Sequence, residues 1–101
     1  MEKEMKPEQE RLVNKLAFRQ RIKGESLVDL ATNLRQMAAR AYPGKTSVFL
    51  EEVMLDQFIT ALDTPELRMG VSQASRTRLE EGLTTALRLE RILIVQKRQR
   101  S

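Results

Sequence analysis

The stretch from Lys23 to Val71, KGESLVDLATNLRQMAARAYPGKTSVFLEEVMLDQFITALDTPELRMGV, carries one helix start or stop signal after another. Ser26 offers an N-cap hydroxyl, and Asp29 stands three residues on, which is a capping-box pattern. Pro43-Gly44 ends the helix that Ser26 opens. Thr46 or Ser47 caps the next one. Thr64-Pro65-Glu66 then repeats the grammar of a helix start: cap, proline at the first position, acid in the first turn. A chain divided this way folds into short helices with tight connections and leaves little room for strands.

Apolar spacing fills in the faces. Leu27, Leu30, Ala31, Leu34, Ala38 and Ala41 line one side of the second helix, with Met37 at its edge. The small Ala38 and Ala41 admit a close neighbour. In the third, Val48, Phe49, Val53, Met54, Leu55, Phe58, Ile59 and Leu62 are too many for one stripe, so this helix is expected at the centre of the fold, buried on more than one side. Glu51, Glu52, Asp56 and Gln57 mark its wetter side. Leu67, Met69 and Val71 give apolar contacts to a short helix that Gly70 limits to a turn or two, followed by an SQAS linker.

The flanks continue the pattern. Pro7 suits a first helical turn, and Leu12, Val13, Leu16, Ala17 and Ile22 extend a moderate stripe to a stop at Gly24, with Phe18 beside it as an anchor. Thr77 and Glu80 form a second capping box. Leu79, Leu83, Ala86, Leu87, Glu90 and Ile94 follow at spacings of three or four, with Leu93 alongside. Gly82 within that run costs about 1 kcal/mol against alanine unless close packing compensates. Leu89, Ile92 and Val95 give its C-terminal half a second apolar side, which is either partly exposed or packed on another chain. The expectation is an all-α fold, a small four- to five-helix bundle with helices near 7–22, 26–41, 47–62 and 77–96 and a short one at 65–70. Residues 1–6 form a flexible segment, 7–96 the domain, and 97–101 a basic tail that frays.

Composition narrows the chemistry. With 41% hydrophobic and 4% aromatic residues among 101, the core is aliphatic and thin, and such domains gain stability from a partner subunit. Cysteine and histidine are both absent, which removes disulfides, thiol nucleophiles, imidazole acid–base chemistry and Cys/His zinc sites. No acidic cluster has calcium-loop spacing. Ser26, Ser47, Ser72 and Ser75 have no histidine to activate them, and Ser26 and Ser75 read better as cap and linker. Glu51-Glu52, adjacent on a helix, do not face one another, so they read as a solvated acidic surface. Tyr42 before Pro43 reads as an anchor over the turn. The expectation is no enzyme, no cofactor, no metal, no small-molecule substrate and no membrane partner. The formal charge of +4 is concentrated at the end, where Arg88, Arg91, Lys97, Arg98 and Arg100 face only Glu90. Those five are candidate contacts for weak, non-specific RNA binding, or a solvated helix end that suits the dipole.

The ordered set Gly24-Glu25-Ser26, Leu27, Leu34-Arg35, Ala41-Tyr42-Pro43, Asp56, Phe58, Leu62, Pro65-Glu66-Leu67, Leu79, Ala86 and Glu90 resembles the C-terminal domain of the capsid region of retroelement Gag proteins. The likeness is greatest to the Ty3/Gypsy group and its domesticated relatives, and covers roughly Phe18 to Arg91. It implies that Gly24, Glu25 and Ser26 belong to a buried turn and polar network that supports capsid assembly. Tyr42 and Pro43 would form the turn motif. Where the family often has glutamine three residues before that glycine, this chain has Arg21. The family's capsid N-terminal domain and its zinc knuckle are missing from the sequence, which implies an excised fragment or a reduced domesticated domain.

The resemblance implies a homodimer that contributes to a capsid or lattice, in cytoplasmic capsid-like particles. The candidate seam is the outer side of the third helix, at Val53 and Met54, with Leu89 and Ile92 as a second patch. The alternatives are a SCAN-like dimerisation domain of a nuclear transcription regulator, which resembles the same Gag domain, and a basic nucleic-acid-binding helical module.

Overall fold

A computed structural model describes residues 6–74 and 77–100. It is all-α: α1 Pro7–Ala17, α2 Leu27–Ala41, α3 Ser47–Ala61, α4 Pro65–Ala74 and α5 Leu79–Arg100. Among the described residues there is no strand. α2, α3 and α5 touch one another, α1 covers α2, and α4 packs against α3 and α5.

The helix starts follow the local grammar in three cases. Ser26 Oγ accepts from the Asp29 N–H at 3.0 Å, Thr46 Oγ1 from Phe49 at 3.1 Å, and Thr64 Oγ1 from Leu67 at 3.3 Å. Each satisfies a donor that the first helical turn leaves without an internal partner. The sharp turns at Gly24 and Gly44 have φ of +86° and +78°, the left-handed region where a side chain is strained.

The start of α5 departs from expectation. Thr77 lies one residue too early to cap it, and its hydroxyl instead donates to Glu81 at 3.2 Å. The Leu79 N–H donates to Glu51 Oε1 on α3 at 3.0 Å. Glu51 therefore caps a helix across the fold, and is not simply part of a solvated acidic surface. A carboxylate there also meets the positive end of the helix dipole.

Three boundaries differ from the sequence reading. α1 stops at Ala17 and not near 22, because the chain beyond it turns away to make tertiary bonds: the Arg21 N–H donates to the Ala61 carbonyl at 2.9 Å. α4 runs through Gly70 to Ala74, so most of the expected linker is helical; Ser75 lies outside the described residues, as do 1–5. Gly70 is tolerated because a Cβ there would stand 2.3 Å from Leu89 Cδ1; α5 packs on its bare backbone. α5 continues through Lys97 and Arg98 to Arg100, past the limit near 96 that the sequence suggests.

All six expected core positions of α2 are buried, with Met37 half-buried beside them. On α3, Met54, Leu55, Phe58 and Ala61 are buried. Leu50, Val53 and Ile59 are half-buried against the same core, so the excess of aliphatics on α3 is largely absorbed by α2, α4 and α5. Val48 is the one large apolar side chain of that helix left open, at 71% exposure. Gly82 fits the same account: a Cβ there would meet Leu55 Cδ1 at 2.7 Å, Val71 at 3.4 Å and Phe58 at 3.6 Å.

Candidate functional site

Two regions of the molecule are candidates. The first is the α1–α2 connection around Gly24-Glu25-Ser26. Glu25 uses both carboxylate oxygens: Oε1 accepts from the Ile22 N–H at 3.0 Å, and Oε2 takes an ion pair from Arg19 at 2.5 Å. Arg19 also donates to Asn33 Oδ1 on α2 at 2.8 Å and to the Gln20 carbonyl. Arg21 donates through Nε to the Glu25 carbonyl at 2.9 Å. Its Nη1 reaches Asp63 at 3.1 Å and Glu90 of α5 at 2.7 Å.

The electrostatics are those of a closed clasp. The bond from Arg19 holds the Glu25 carboxyl below the usual carboxylate range; burial opposes this, and the Ile22 N–H adds to it. Burial works against the charge on Arg21, but the bonds and attraction of Glu90 and Asp63 outweigh it and raise its pKa. Every charge in the cluster is answered by another, and the clasp ties α1, α2, α5 and the end of α3 together. It has no nucleophile and no open anion or cation position.

Sequence reasoning does not single out Arg19, Arg21, Asn33, Asp63 and Glu90 as a network. One signal is available. Glu90 falls on the apolar stripe of α5 between Ala86 and Leu93, and a carboxylate on a core-facing stripe calls for a buried cation. Arg21 supplies that cation.

Tyr42 and Pro43 form a second structural corner. Tyr42 is half-buried and meets Phe49 edge-on, with ring centroids 5.2 Å apart, and the Lys45 ammonium lies 5.5 Å from the centre of that Phe49 ring. Gln9 on α1 donates to the Ala41 carbonyl at 3.1 Å, so α1 also closes this corner.

The second region is the outer side of α5. Leu87, Ile92, Ile94 and Val95 are exposed by 38% to 48%. Arg88, Arg91, Lys97 and Arg98 are exposed on the same stretch. Of the four candidate seam residues, Ile92 is exposed, at 45%. Val53 and Leu89 are half-buried against the core. Met54 is 8% exposed and faces inward with Leu55 and Phe58, which corrects its placement on an outer side of α3. The half-turn that separates Met54 from the wetter Glu52 and Asp56 turns it into the core.

Among the described residues, no group of three or more acidic side chains is placed to hold a metal ion, and no helix is long and apolar enough to cross a membrane. Comparison with protein-family models, curated proteins and solved structures gives no match to this chain.

Proposed function

We propose that this chain is a non-enzymatic self-association module of a Gag-like capsid protein, a domain that dimerises and contributes to a capsid or lattice. The observation that carries the reading is the run of exposed aliphatic side chains on α5, Leu87, Ile92, Ile94 and Val95, on a helix whose other side is already in the core. Scattered exposed leucines mean little. Leu87 and Ile94, seven residues apart, share one side of α5, and Val95 borders it, while Ile92 lies further round the helix; aliphatics left in water on one side of a helix are a surface that a partner can cover. The turn at Glu25-Ser26 adds support: Glu25 binds Arg19 and the Ile22 N–H and Ser26 caps α2, a bonded polar turn of the kind the Gag resemblance implies, although Gly24 and Ser26 are exposed where it implies burial.

Sedimentation of the purified chain up to hundreds of micromolar tests the reading. A concentration-dependent dimer supports it. A strict monomer that remains folded overturns it.

A second reading rests on charge. Glu90 is bound to Arg21, so it does little to offset the neighbouring Arg88 and Arg91, and the end of α5 is more basic than its sequence suggests. Such a surface neutralises phosphates without reading bases. Anisotropy with a single-stranded RNA of mixed sequence checks it. Affinity that falls steeply with salt supports it, and salt-independent or absent binding removes it.

A further inference from the structure

We infer that the seam of the dimer is the outer face of α5 paired antiparallel with α5 of a second copy, a proposal that rests on the self-association reading above. The face is regular. Glu80, Thr84, Leu87, Arg91, Ile94 and Arg98 recur at alternating spacings of four and three, the repeat that keeps one seam along a helix pair. All six are exposed except for the partial cover on Leu87, at 38%. The opposite side of the helix, through Leu79, Gly82 and Ala86, is buried in the chain's own core and cannot serve a partner.

The charge on this face is polar along the helix. Its beginning holds Glu80 and Glu81, and its end holds Lys97 and Arg98, all exposed. Parallel pairing would set acid on acid and base on base. Antiparallel pairing about an axis at the level of Leu89, between Leu87 and Arg91, sets Glu80 against Arg98 of the second copy and brings Glu81 to the same end of the pair as the second copy's Lys97, twice over by symmetry. The same register sets Thr84 against Ile94 and Leu87 against Arg91 of the second copy. An arginine stem covers a leucine while its guanidinium reaches water, so the cations near the axis need not be buried.

The shape of the surface agrees. Beside the acidic beginning of α5 runs an open groove of about 510 Å³, lined by Ala74, Thr77, Glu80, Glu81, Thr84 and Thr85. Among the described residues its lining holds two carboxylates and no cation. The end of α5 offers what it lacks: the aliphatic Ile94 and Val95 followed by the basic Lys97 and Arg98. Groove and filler are therefore both present on one chain, at the two ends of one helix, as a self-complementary seam requires.

Charge reversal separates the seam from the broader reading. Glu80→Lys with Glu81→Lys makes one variant, and Lys97→Glu with Arg98→Glu the other, each checked for native helicity by circular dichroism. Each alone should weaken dimerisation by about tenfold or more, and an equimolar mixture should restore it as a heterodimer, because both contacts are then complementary. A mixture of Thr84→Cys and Ile94→Cys chains, in a protein otherwise free of cysteine, should oxidise to a crosslinked heterodimer. Wild-type dimers that ignore both reversals and give no crosslink overturn the seam and leave self-association standing. A wild-type monomer overturns both.

Discussion

α2 and α5 obey the same rules of helix formation with different results. α2 opens on its own cap at Ser26, closes at its own Pro-Gly turn, and buries one clean face; Val28, at 48%, is its one large aliphatic left exposed. α5 opens on a carboxylate borrowed from α3, buries Leu79 and Ala86, and leaves Leu87, Ile92, Ile94 and Val95 in water. The first helix is written for a single interior. The second carries two apolar sides, of which the fold uses one. A helix with more apolar surface than its own chain covers is where a partner is to be sought, and α3 is the control: equally rich in aliphatics, it meets three neighbours and keeps little of that surface open.

The largest effect that sharpens this contrast is a pair of truncations. Leu34 is fully buried, so Leu34→Ala should cost about 3 kcal/mol through lost transfer energy and a residual cavity. Ile94 is 47% exposed, and Ile94→Ala should cost about 0.5 kcal/mol or less at concentrations where the chain is monomeric. Urea titration at low micromolar concentration measures both. Comparable losses at the two sites would show that α5 is buried where it is expected to be open, and would erase the difference between the helices.

The legibility of the chain divides along the same line. The faces of α2 and α3 can be read because core burial follows periodicity and the caps at Ser26, Thr46 and Thr64 are local. The borrowed cap at Glu51 and the clasp through Arg21 cannot, because each joins residues far apart in sequence. The length of α1 escapes a sequence reading for the same reason. Ile22 keeps the helical spacing, but Arg19 and Arg21 make bonds that a continuing helix would forbid. The glycines in α4 and α5 look like weaknesses in the sequence, and close packing by Leu89 and Leu55 explains them. For the candidate site, the Gly24-Glu25-Ser26 motif is visible and its partners are not.

The clasp gives the next effect. Arg21→Ala leaves Glu90 and the Glu25 carbonyl without their donor and should cost about 2 kcal/mol. Acid acts on the same cluster through Glu25. Its pKa is depressed by the fold, so its contribution to stability is present above the ordinary value of 4.5 and is lost as pH falls through the lower folded value. Glu25→Gln should therefore flatten the fall in urea midpoint between neutral pH and about pH 3 relative to the wild type. An unchanged acid slope would mean that the clasp is open in solution. On α5, Gly82→Ala should gain about 1 kcal/mol of helix propensity and lose more to the clash with Leu55, ending about 1 kcal/mol less stable.

The smallest effects test how each helix begins. Ser26→Ala removes the acceptor for the Asp29 N–H and should cost about 1 kcal/mol. If α5 were capped locally, Thr77→Ala would cost as much. The Thr77 hydroxyl contacts only the exposed Glu81 side chain among the bonds described, so its loss should amount to a few tenths of a kcal/mol. Glu51→Ala, far away in sequence, should cost about 1 kcal/mol, because the Leu79 N–H loses a charged acceptor at the positive end of the helix. Amide hydrogen exchange at the first turn of α5 separates the two accounts. Faster exchange there in Glu51→Ala, with Thr77→Ala near wild type, is the outcome that the borrowed cap requires. The reverse order would return α5 to a local capping box and remove one of the ties between α3 and α5.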